Sequence, residues 1–89
     1  MIKDTRFYFA NLCADVARCI KALQNGDNDR YADSLKRAHK TLGFLRASQR
    51  PEAYEEGLLL MRGLEFARSG NLDRFSADVN RLAATLAVV

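Results

Sequence analysis

Displaced by 44 residues, the chain lies over itself: Gly26-Asp27-Asn28-Asp29-Arg30-Tyr31 falls on Gly70-Asn71-Leu72-Asp73-Arg74-Phe75. The register continues with Leu35 on Val79, Arg37 on Arg81, Thr41 on Thr85 and Leu42 on Leu86. It runs backwards through Arg18 on Arg62 and Ile20 on Leu64. A period in the forties is the length of one helical hairpin, and a lone hairpin cannot bury its apolar face. Two copies must therefore pack on each other. Short joints make neighbouring helices antiparallel, so the expected fold is all-α, an up-down-up-down four-helix bundle made of two similar hairpins, about 4–47 and 50–87. A solenoid is the competing architecture, but it normally takes three or more repeats. At 89 residues the chain has room for one core, and 1–89 is read as a single helical-bundle domain.

The helices themselves follow from apolar periodicity. Phe9, Leu12, Cys13, Val16, Ile20 and Leu23 recur at steps of three and four, which predicts a first helix over roughly 4–24. Asn25 and Gly26 supply a left-handed turn at its end, and Asp27 or Asn28 can cap the second helix. That helix carries Tyr31, Leu35, Ala38, Leu42 and Leu45 on one face, up to the stretch RASQRP, where Pro51 suits a first helical turn. In the third helix Glu52, Glu55 and Glu56 sit at the end where the helix dipole favours negative charge. The run GLLLMRGL, from 57 to 64, is apolar over most of its circumference, which places this helix centrally or gives it a second face for a partner. RSGN is expected to end it by the chemistry of QNGD. Asn71 then caps a fourth helix with Leu72, Phe75, Val79, Leu82 and Leu86 on its inner face.

The only histidine lies in the second helix, in the stretch RAHKTLG. Ala83 stands where the repeat would put a second copy of His39, and Ala87 matches Gly43, so the hairpin itself requires neither residue. His39 falls at the edge of the core stripe, about 40° round from Leu35 and about 60° from Leu42. Lys36 and Lys40 are close in sequence, and Gly43 follows one turn on. An exposed imidazole with a small neighbour and a nearby cation is what phosphoryl acceptance needs. The alternative is an ordinary packing residue at a helix edge. The alanine before His39, the glycine four after it and the ALQNGD and FARSGN joints resemble histidine-phosphotransfer domains, which are themselves four-helix bundles. That resemblance implies a phosphoacceptor His39 assisted by Lys36, Lys40 and Gly43, and an aspartate-bearing receiver domain as partner. Leu42 stands where that family usually has a basic residue.

The stretch IKALQNGDNDRYADSLKRAHKTLGFLRAS, followed by LLLMRGLEFARSGN, also resembles the middle helices of the flagellin-specific export chaperones. Those chaperones carry an additional amino-terminal segment that is not matched here. The resemblance implies a cytoplasmic chaperone or adaptor gripping an amphipathic helix of its partner, anchored at i, i+3, i+4 and i+7. Leu58, Leu59, Leu60 and Met61 are the candidate partner-binding surface, with methionine lending adaptability. The same four residues would alternatively serve the core or the interface of a small structural homodimer.

Other classes receive less support. Arg30, Lys36, Arg37, Lys40, Arg46 and Arg50 accumulate on the second helix and its exit, but Asp27, Asp29 and Asp33 are interleaved with them. A solvated mixed face is thus expected, not a nucleic-acid surface, in keeping with a net charge of only +3. No apolar run approaches the roughly 20 residues that span a bilayer, and charge interrupts the amino-terminal stretch too early for a signal peptide. A cytoplasmic location and no membrane partner are expected. Cys13 and Cys19 are about 600° apart on one helix, so they diverge and no local disulfide is expected; Cys13 reads as a small core residue. No nucleophile-base-acid set, phosphate-cradling glycine loop or metal-ligand spacing is visible, so no catalytic residue, metal or cofactor is assigned and an enzyme is not expected.

Overall fold

The protein is described by a computed structural model covering residues 5–88, with side chains described as far as residue 84. Four α-helices follow one another: α1 (Thr5–Gln24), α2 (Asn28–Ala47), α3 (Pro51–Arg68) and α4 (Leu72–Val88). They lie side by side in a bundle of 37 × 24 × 21 Å, whose long axis is close to one helix length. Thr5 at the start of α1 hydrogen-bonds Ser48 just beyond α2, and Tyr31 in the first turn of α2 packs under Arg68 at the end of α3. Successive helices therefore run antiparallel.

The starts of α2, α3 and α4 and the end of α1 are set by the residues expected to set them. Asp27 caps α2 by accepting from the Arg30 amide at 3.0 Å, and Asn71 caps α4 by accepting from the Arg74 amide at 3.2 Å. The repeat thus survives as two equivalent caps. At the end of α1 the Asp27 amide reaches back to the Ala22 carbonyl and the Gly26 amide to Leu23, with Gly26 at φ 68°. This is a Schellman turn. The end of α3 differs from expectation. Gly70 is not left-handed; Ser69 closes the helix instead, donating its hydroxyl and its amide to the Phe66 carbonyl. Between α2 and α3 the left-handed position falls to Gln49, at φ 62°, just before Pro51 begins the next helix.

The core is built from Leu12, Cys13, Val16 and Cys19 of α1, Leu45 of α2, Leu64 of α3 and Val79 of α4, all essentially without solvent contact. Of the two places open to α3, the centre is taken by α1, which packs on all three other helices. The α1–α2 contact is the most extensive and the α3–α4 contact the least, while α4 does not touch α2 among the described residues. The hairpins are therefore alike in sequence and caps but not in packing. Small residues hold the equivalent close approaches. Gly57 and Gly63 of α3 occupy the repeat positions of Cys13 and Cys19. A Cβ on Gly57 would come within 2.9 Å of Leu42 and Leu45, and one on Gly63 within 2.5 Å of the Phe75 ring. Among the described side chains of α4 only Val79 is fully buried, with Leu72, Phe75 and Leu82 half-buried; Leu86 lies outside them.

Candidate functional site

His39 is exposed on the side of α2 that faces α3. It lines a shallow cleft of about 180 Å³ whose apolar lining is Leu35 and Leu42 of α2 and Leu58 and Met61 of α3. The cation that shares this cleft with His39 is Arg62 of α3, with Glu65 one turn further on. Lys36 and Lys40 are exposed on α2 and do not line it. The sequence offered a signal for Arg62, because it repeats Arg18, but only the approach of α2 to α3 sets it beside the imidazole. Gly43 is exposed, and no atom lies within 4 Å of where its Cβ would stand. Helix packing therefore does not require a glycine there, although one in a helix interior costs about 1 kcal/mol relative to alanine.

The four candidate residues of α3 separate into two pairs. Leu60 and Met61 are buried in the core, which removes Leu60 from any surface and leaves Met61 only as part of the cleft floor. Leu58 is half-buried between them and solvent, and Leu59 is 60% exposed. Phe66, which the sequence reading passed over, is 81% exposed. It lies seven residues beyond Leu59, about 340° of rotation, so the two share one face of α3 with Arg62 between them. Glu55, Leu58, Leu59 and Arg62 line a second hollow that continues this face.

One buried polar cluster also went unread. Asp15 lies within the apolar stripe of α1 at 6% exposure, where its carboxylate accepts the Thr41 hydroxyl of α2 at 2.8 Å and pairs with Arg18 at 3.0 Å. The repeat would have marked it, because Leu59 stands at the matching place in α3. Cys13 and Cys19 are free and both buried, not Cys13 alone. Burial pushes each thiol up to about 11, and for Cys19 the nearby Asp15 charge adds to the effect. Neither is poised as a nucleophile. Among the described residues no three side chains of metal-binding type group together, and no helix is long and apolar enough to cross a membrane.

No family model matches this chain, and neither a curated protein nor a solved structure matches it. The α2–α3 face offers an apolar floor, a rim of opposite charges and an exposed imidazole.

Proposed function

We propose that the chain is a non-enzymatic cytoplasmic module that binds another protein, holding an amphipathic helix of that partner along the outer face of α3. The pair Leu59 and Phe66 carries this reading. Two large apolar side chains one heptad apart, with half-buried Leu58 beside them, match the i, i+7 spacing of a helical ligand. Covering each is worth roughly 1.5–3 kcal/mol. Arg62, between them, and Glu55 at the near end offer charges to the partner's polar flanks. The reading agrees with the likeness to flagellin-specific export chaperones, in which an export substrate would be the occupant. It moves the binding surface from Leu58–Met61 to Leu58, Leu59 and Phe66.

The test begins with sedimentation of the wild type and of Phe66→Asp. Capture from a source-cell lysate follows, with wild type, Leu59→Asp/Phe66→Asp and His39→Ala as baits. A synthetic peptide covering the amphipathic segment of the captured protein is then titrated against each. Binding by wild type and His39→Ala, and not by the double variant, is the expected result. Equal binding by all three overturns the proposal. So does a wild-type dimer that Phe66→Asp dissolves, which would assign the face to a second copy of the chain.

A second reading is favoured by the exposed His39 facing Arg62 across an open α2 face at Gly43. In it the bundle is a phosphotransfer domain. The imidazole attacks the phosphorus of a receiver's aspartyl phosphate, the carboxylate leaves, and the guanidinium of Arg62 offsets the charge of the phosphoryl group carried. Phosphate incorporation from a phosphorylated receiver domain, lost in His39→Gln and diminished in Arg62→Ala, would establish it.

A further inference from the structure

The first hairpin holds another cleft, between the later turns of α1 and the earlier turns of α2, with a volume of about 480 Å³. It lies on the opposite side of α2 from His39. Arg18 and Lys21 line it from α1, and Arg30 and Arg37 from α2, while Asp33 is its one carboxylate. The lining therefore carries a formal charge of +3, four cations less one anion. Arg18 is held by Asp15, and Arg30 lies 3.9 Å from Asp27. Lys21 and Arg37 form no ion pair among the described residues. Asn25 and Ser34, the latter one of two buried polar side chains among the described residues, complete the lining.

The internal repeat separates what the bundle needs from what this cleft has in addition. Arg62, Arg74 and Arg81 of the second hairpin match Arg18, Arg30 and Arg37. Glu65, however, stands at the place of Lys21, and Asp78 at the place of Ser34. Those two acids pair with Arg68 at 3.6 Å and Arg81 at 3.8 Å. Of the three matching arginines, Arg81 takes part in one of these pairs, while the other pair engages Arg68, which matches Gln24. In the first copy a lysine and a serine stand at the positions of both acids, while the acids that engage Arg18 and Arg30, Asp15 and Asp27, match Leu59 and Asn71 of the second. What is particular to the first copy is therefore Lys21 and Arg37, without an ion pair among the described residues, beside the Ser34 hydroxyl.

We propose that this cleft binds a compact ligand bearing phosphate, gripped between Arg18 and Arg37, with Lys21 and the Ser34 hydroxyl supplying further donors. A phosphate dianion meets the two lining cations that form no ion pair among the described residues, Lys21 and Arg37, better than a single carboxylate does, and planar guanidinium groups meet its oxygens in pairs. The volume falls within the range of small-ligand pockets and suits a nucleotide or one phosphorylated side chain.

The experiment is a titration of the isotopically labelled chain with inorganic pyrophosphate, at ionic strength held constant with sodium chloride, read from backbone amide shifts. Saturable shifts confined to the residues around Lys21, Ser34 and Arg37 are expected. Lys21→Glu, an exposed substitution that copies the second hairpin, should weaken binding about tenfold while leaving helicity and melting unchanged. Ser34→Ala provides a smaller loss without adding charge. Parallel arms with a nucleoside diphosphate and a phosphoserine peptide name the source, since tighter binding of either than of pyrophosphate supports the site. Shifts that do not saturate, that spread equally to Arg46 and Arg50, or that persist in Lys21→Glu overturn the proposal. It also falls if a single-stranded oligonucleotide binds with a steep salt dependence while pyrophosphate leaves the cleft unmoved.

Discussion

Asp15 shows how much one side chain can depend on its partners. Its carboxylate is taken from water and compensated by the Thr41 hydroxyl and the Arg18 guanidinium. Thr41→Val removes a donor without changing shape, and should lower stability by about 1–3 kcal/mol in a urea titration. Asp15→Leu combined with Thr41→Val converts the pair to an apolar contact, and should recover most of that loss. The buried thiols give a pH dependence of definite sign. Cys13 and Cys19 hold their protons up to about 11 in the folded chain, against an ordinary value of 9.0. Their contribution is complete below pH 9 and is lost as the pH rises toward 11, because the unfolded state then gives up protons that the folded state retains. The melting temperature should fall over that window, and Cys13→Ala/Cys19→Ala should flatten the fall. Asp15 escaped the sequence reading because periodicity records where a residue lies on a helix, not which hydroxyl meets it from the next one.

At the scale of the helix, three glycines in similar settings have different consequences. Gly43 faces open space, so Gly43→Ala should stabilise the chain by about 0.5–1 kcal/mol in thermal or chemical melting. Gly57→Ala gains the same propensity but drives a methyl into buried Leu12, Leu42 and Leu45, and a net loss of about 1–2 kcal/mol is expected. Gly63→Ala meets the Phe75 ring at 2.5 Å, closer than any contact at Gly57 but against one partly exposed side chain instead of three buried ones, so its effect should lie between the two. Helix limits were largely legible because they are local chemistry: Asp27, Gly26, Pro51 and Asn71 act on backbone groups a few residues away. The end of α3 was not, since the left-handed conformation expected at Gly70 is replaced by bonds from Ser69. Nor was the fate of the apolar run in α3, because Leu60 and Leu59 are equally apolar and only the neighbouring helices decide which is covered. The exposure of Phe66 is decided in the same way.

For the whole bundle the order of packing matters more than the count of helices. Two hairpins and one shared core were legible from the repeat, but the central position of α1 was not, since it rests on contacts between segments distant in sequence. With one fully buried residue among its described side chains and no contact with α2, α4 should open at a lower free energy than the rest. Hydrogen exchange should find its amides less protected than those of α1 at the level of Leu12 and Val16; equal protection would mean that the bundle opens only as a unit. The pairing of α1 with α2 has a kinetic side as well. The most extensive helix contact joins segments separated only by Asn25, Gly26 and Asp27, so its loop-closure cost is small and its contacts are local. Destabilising substitutions at Cys13, Val16 or Leu45 should therefore slow folding, whereas those at Val79 should chiefly speed unfolding. A ribosome would release the first hairpin with its main interface already able to close, while α4, which follows the other three helices, would dock onto a surface that is already in place.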